Sequence, residues 1–208
     1  AASDVYKRQG IATLSVITSL MAAYGLVYFK VKYATFIFWL IFITLLVPLE
    51  LRIMPSYIVM SKLNLVNTFA GLILPISASA IATFFFRQFY KSIPDELLEA
   101  AKLDGTSSWR FFIDFLVPLS KTMIAAVFIF MFVFGYNQYL WPLIMTTSEQ
   151  YWTVVMGLKT MYGSISDRFA FVMMSMIPPV VIIVFLQKLF IPVSYTHLRA
   201  HETGRNLV

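Results

Sequence analysis

Between residues 10 and 192 long apolar runs alternate with short polar ones. The runs at 10–29, 34–56, 69–86, 118–141 and 169–190 approach or exceed the roughly 20 residues that a helix needs to cross a bilayer. Lipid offers the backbone no water, so a spanning segment closes its hydrogen bonds on itself as a helix or with neighbours in a sealed barrel. Continuous stretches such as MIAAVFIFMFVFG (123–135) lack the two-residue alternation of barrel strands. The pattern therefore predicts an all-α integral membrane protein with five transmembrane helices. Pro48, Pro75 and the pair Pro178–Pro179 fall within or beside these spans and predict kinks, because proline removes a helical hydrogen bond.

The polar interruption at 87–117 has a grammar of its own. Ser92 followed by Asp95 reads as a capping box, Pro94 as a first-turn proline, and Asp95, Glu96 and Glu99 as acids at the positive end of a helix dipole. Leu97, Leu98, Ala100 and Ala101 extend that helix, and Gly105 supplies the left-handed residue that ends it. A second helix is expected over 106–115. Two short helices at an angle carry too little apolar surface to stand alone, which predicts a docking partner; the plainer alternative is a solvated loop.

Composition agrees with lipid as the solvent: 60% of residues are hydrophobic, 12% are charged and the mean hydropathy is +0.79. Cysteine is absent, which excludes disulfides and thiolate metal sites. The net charge of +6 invites a nucleic-acid reading until its distribution is followed. Lys30, Lys32, Arg87, Lys91, Lys102, Arg110, Lys121 and Lys188 fall on one side of the predicted topology, and Arg52, Lys62, Lys159 and Arg168 on the other. Excess Lys and Arg mark the cytoplasmic face, so the 87–117 loop is expected in the cytoplasm. Trp39, Trp141 and Trp152 near span ends read as interface aromatics.

The two ends stand apart. DVYKRQ (4–9) and VSYTHL (193–198) are readings of one oligonucleotide on opposite strands and in different frames. That oligonucleotide resembles a transposon adapter of sequencing libraries. Residues 1–9 and 193–208 are accordingly expected to be translated adapter, and 10–192 the transmembrane domain. Without them both histidines are gone, and 12 Lys+Arg stand against 8 Asp+Glu.

EAAKLDG (99–105) followed by FLVP (115–118) resembles the EAA signature of permease subunits in bacterial binding-protein-dependent ATP-binding-cassette importers. Glu99, Ala100, Ala101, Gly105 and Pro118 match at the family spacing, while Phe115 and Val117 replace isoleucine and leucine. FITLLVPLELRIMPSY (42–57), ATFFFRQFYKSIPDELLEAAKLDG (82–105), YNQYLWPL (136–143) and IPPVV (177–181) resemble the glycerol-phosphate permeases within the maltose-permease-like branch of that family. The resemblance implies a six-span type I importer (MetI-like) fold, N-terminally truncated to five spans, in the bacterial inner membrane. It implies that the loop is the coupling helix docked on the ATPase, with Glu99, Ala100, Ala101, Asp104, Gly105 and Pro118 as coupling residues. Its partners would be a second permease subunit, two ATPase subunits that hold ATP and magnesium, and a periplasmic binding protein. Its cargo would be sn-glycerol 3-phosphate or glycerophosphodiesters.

The residues themselves point away from catalysis. No phosphate-binding G-x-x-x-x-G-K-[ST] loop occurs, and Asp95, Glu96, Glu99 and Asp104 are spread around a water-facing helix. The chain is expected to bind neither cofactor nor metal. Candidates for the translocation path are Asn137, Gln138 and Tyr139 with Ser77 and Ser79, joined by Thr83, because polar groups inside spans often line a cavity. The alternative for the hydroxyls is hydrogen bonding between helices. Arg52 could attract a phosphate, with interfacial anchoring or pairing to Glu50 as the plainer roles. A sugar or oligosaccharide permease of the same family is the nearest rival reading. An ion-driven transporter usually keeps an ionisable residue at the midplane, and no span here has an acid near its centre. A structural scaffold would leave the EAA spacing unexplained.

Overall fold

The computed structural model describes residues 2–29, 31–160 and 164–187, and among these it contains helices and turns but no strand. In chain order the helices are α1 (Ala2–Tyr28), α2 (Ala34–Ile43), α3 (Leu49–Lys62), α4 (Phe69–Ser77), α5 (Ala80–Lys91) and α6 (Asp95–Leu103). They continue as α7 (Ser108–Arg110), a π-helical stretch (Phe111–Leu116), α8 (Val117–Leu119), α9 (Lys121–Tyr136), α10 (Leu140–Met145), α11 (Val154–Thr160) and α12 (Ile165–Gln187).

Helix α1 is the axis of the bundle. Ala12, Ser15, Ser19 and Ala23, each at most 1% exposed, lie on one face of it. Small side chains let neighbouring backbones approach closely, which is how helices associate where lipid gives them no hydrophobic incentive. Helices α4, α5 and α9 pack against α1. Residues 2–9, set apart by sequence, continue α1 at its start, where buried Asp4 pairs with Lys7 at 3.6 Å and with Arg8.

Several predicted spans prove to be jointed. The run 34–56 is two helices turned by 107°. The cause lies in Val47–Pro48: a residue before proline is forced out of the helical region, and Val47 is extended at ψ 116°. The run 69–86 turns by 45° at Ala78–Ser79. There Ser79 caps α5 by accepting the Ala82 N–H at 3.2 Å. The run 118–141 enters across a 75° turn at Ser120 and its long helix stops at Tyr136. Among the described residues one helix can cross a membrane unbroken by length and composition, and up to four spans result if each bent pair counts as one. The fifth predicted span falls in α12, whose 23 residues are continuous; its last three positions, 188–190, lie outside the described residues, as do Lys30, Lys188 and 193–208.

Pro178 and Pro179 do not interrupt α12. Proline 179 cannot donate to the carbonyl of Ser175, four residues back. The Tyr136 hydroxyl donates to that carbonyl instead, and so ties α9 to α12. One buried cluster, running along α1, includes Ile11, Leu20, Tyr24, Phe86, Phe111 and Met131. A second gathers Ile53, Leu72, Trp141 and Met145. Trp141, expected at the interface, is instead 3% exposed, because α10 is folded back against α3 and α4; Trp39 stays 53% exposed.

Candidate functional site

The stretch 92–119 forms an elbow. Its entry differs from the expected capping box: Pro94 is the N-cap of α6 and supplies no side-chain bond, while the Ser92 hydroxyl donates back to Phe89 O at 2.7 Å and closes α5. Asp95 and Glu96 occupy the first turn as the helix dipole favours. At the exit Gly105 adopts φ +70°. The Gly105 N–H donates to Lys102 O at 3.0 Å and the Thr106 N–H to Ala101 O at 2.9 Å. This pair of bonds is a Schellman motif, which satisfies carbonyls that the helix end would leave open. The second arm starts two residues later than expected, at Ser108, where Ser107 Oγ accepts the Arg110 N–H at 3.3 Å, and it runs on to Leu119.

The elbow has an inner and an outer face. Ala101, Phe111, Phe112 and Leu116 are at most 4% exposed, packed in the core cluster that also holds Tyr24 and Tyr90. Tyr24 stacks 4.8 Å from Phe112, Tyr28 meets Phe111 at 5.5 Å, and the Tyr24 hydroxyl donates to Ser108 O at 2.7 Å. Glu99, Ala100, Asp104, Gly105 and Pro118 face outward. The two alanines, expected to act together, are therefore separated: Ala100 is open to a partner, and Ala101 is covered by the chain itself. Two residues passed over in the sequence complete the outer face. Leu103 is 89% exposed and Trp109 60% exposed, an apolar pair flanking the turn. A leucine and a tryptophan in a water-facing segment were the available signal.

The path candidates separate as well. A cavity of about 360 Å³ lies between the α2–α3 joint, the α4–α5 joint and α9, and Ser79 and Gln138 line it. Ser77, Asn137 and Tyr139 are not among its lining residues. Ser77 Oγ donates to Ile73 O at 2.7 Å, and Thr83 Oγ1 to Ser79 O at 2.9 Å. From α1, the Thr18 hydroxyl lies 3.1 Å from Ser77 O and the Ser19 hydroxyl donates to Ser79 O at 3.3 Å. These hydroxyls thus bond within and between helices. Asn137 is exposed at the end of α9. The remaining lining is mostly apolar, and among the described residues Arg52 is the only charged one in it. Among the described residues no ion pair joins Arg52 to Glu50. Among them, too, no cluster of His, Cys, Asp or Glu could hold a metal.

Residues 15–194 match the family described as binding-protein-dependent transport system inner membrane component. The chain is 43% identical over 182 residues to the sn-glycerol-3-phosphate transport system permease protein UgpE of Yersinia pestis bv. Antiqua, covering 85% of this chain and 65% of that one. It is 44% identical over 187 residues to the UgpE of Brucella melitensis, covering 87% and 66%. It is 45% identical over 186 residues to that of Shigella flexneri serotype 5b, covering 86% and 66%. The chain thus spans just under two thirds of the length of these curated relatives. Among solved structures, a bacterial ABC transporter involved in the import of the acidic polysaccharide alginate superposes with a TM-score of 0.78 at 19% identity, over 90% of this chain and 72% of that one. That likeness establishes the shared fold.

Proposed function

Because the chain belongs to the binding-protein-dependent transport system inner membrane component family, we propose that it is the permease subunit of an ATP-binding-cassette importer for sn-glycerol 3-phosphate or glycerophosphodiesters. The observation that carries the coupling role is the two-faced elbow: an inner face locked into the aromatic nest on α1, and an outer face that leaves Leu103 at 89% and Trp109 at 60% exposure. Large apolar side chains held in water by a rigid turn mark a surface built to be covered. The occupant is an ATPase subunit, one of two that bind ATP and magnesium and carry out the hydrolysis. Glu99, Ala100, Asp104, Gly105 and Pro118, on the outer face, meet that subunit, and Ala101 holds the elbow against the core. A UgpA-like permease completes the membrane path, and a periplasmic binding protein delivers the substrate. The chain itself is no enzyme and binds no cofactor.

The substrate reading is supported by the named transport role of relatives more than 40% identical and by a cavity lined, among the described residues, by an arginine and no other charged group. Uptake tests it. A full-length permease carrying this sequence, assembled with its partners in cells without their own system, is expected to import labelled glycerol 3-phosphate and not maltose. Import of maltose alone would assign the chain to the sugar carriers. Import that persists without the ATPase subunits would refute the coupling role.

A further inference from the structure

We propose that the cavity between the two helix joints is an anion subsite, in which Arg52, Gln138 and the first amides of α5 hold the phosphate group of the cargo. The inference rests on the phosphate-bearing substrate proposed above and names the groups that recognise it.

The α4–α5 joint is electrically one-sided. Its carbonyls are occupied from α1, where the Thr18 and Ser19 hydroxyls lie 3.1 Å and 3.3 Å from Ser77 O and Ser79 O. Its donors are not. The first amides of a helix have no acceptor within it and carry the positive end of its dipole. In α5 the Ala82 N–H is taken by Ser79 Oγ, which leaves the amides of Ala80 and Ile81, both lining the cavity. A broken helix whose N-terminus opens onto a cavity inside a membrane protein is a ready anion site.

Two side chains on other elements converge on the same space. Gln138 is only 7% exposed, lines the cavity, and has no hydrogen-bond partner among the described residues. An amide that lines a cavity and is not engaged elsewhere is available to donate to a ligand there. Arg52, in the first turns of α3, brings a guanidinium, whose fork matches phosphate oxygens. Among the described residues no carboxylate lines the cavity to neutralise it. The roughly 360 Å³ volume lies within the range of small-ligand pockets.

The test uses the complete transporter in proteoliposomes, with Arg52→Gln, Arg52→Lys and Gln138→Leu compared at equal amounts of assembled complex. The readouts are labelled glycerol 3-phosphate import and molecules imported per ATP hydrolysed. For Arg52→Gln both are expected to fall about tenfold, the factor corresponding to about 1.4 kcal/mol, with partial recovery in Arg52→Lys and a smaller loss in Gln138→Leu. Import and hydrolysis falling in parallel would indicate a structural role and overturn the subsite. So would less co-purified phospholipid in Arg52→Gln with import unchanged, which would give the site to a lipid headgroup. Wild-type import of glycerol 3-phosphate with all three variants unaltered overturns the subsite and leaves the substrate reading intact. A wild-type transporter that carries only a neutral sugar overturns both.

Discussion

Gly105→Val is expected to disconnect ATP hydrolysis from import while the protein still reaches the membrane. Gly105 holds φ +70°, and a Cβ added there would meet nothing within 4 Å. The penalty inside this chain is therefore torsional and not steric. A left-handed L-residue costs roughly 1–2 kcal/mol, with β-branched residues at the unfavourable end. Against this stand the two bonds of the turn, Gly105 N–H to Lys102 O and Thr106 N–H to Ala101 O, each contributing about 1 kcal/mol net. The terms are of similar size, so valine should open the turn in much of the population and swing α7 away from α6. Alanine should be milder. Asparagine, which tolerates the left-handed region, should retain most of the activity. The assay is ATP hydrolysis stimulated by loaded binding protein, measured with uptake in proteoliposomes at matched complex content. Wild-type behaviour of Gly105→Val would refute the reasoning. Equal damage from asparagine and valine would refute the torsional part, since the fault would then be a collision with the partner.

Gly71→Ala should destabilise the bundle, because its Cβ would lie 2.1 Å from Leu65 O, a backbone atom with no freedom to withdraw; overpacking of this kind costs typically about 1–3 kcal/mol, and unchanged thermal inactivation of the complex would contradict it. Tyr136→Phe strips the Ser175 carbonyl of the donor that substitutes for Pro179, so α12 should loosen from α9 by about 1–3 kcal/mol, visible as faster proteolysis within α12; equal digestion of the two proteins would count against that account. A cysteine at Ser107 should be labelled only from the cytoplasm and one at Ser148 only from the periplasm, and labelling of both from one side would remove the topology.

Much of the helix content and the elbow could be read from the chain because their causes are local. Gly105 ends a run of helix formers, and the positive φ follows from the residue type. The capping box failed for an equally local reason: Pro94, fixed in φ, took the cap position, and Ser92 bonded backward to Phe89. The joints were less legible. Hydropathy averages over a window and cannot see that Val47, held extended before Pro48, turns the chain by 107°, or that Ser79 restarts a helix. At Pro178 and Pro179 the helix runs on, and the bond that covers for Pro179 comes from Tyr136, 43 positions earlier in the chain. The inward turn of Ala101 and the buried place of Trp141 depend on tertiary packing, as does the placing of Arg52 and Gln138 on one cavity.

The unbroken run of α1 gives the bundle an uneven stiffness. Every neighbour that leans on it has a joint, at 45° between α4 and α5 and at 75° before α9, whereas α1 continues for 27 residues without one. A continuous helix resists bending through its ladder of hydrogen bonds, and an interrupted one yields where the ladder stops. Tyr24 grips the elbow through Ser108 O and Phe112, and less than two turns away Thr18 and Ser19 grip the carbonyls of the α4–α5 joint. The short unbroken stretch of α1 between these grips thus acts as a pushrod: it ties the elbow to a joint where the helical ladder is interrupted.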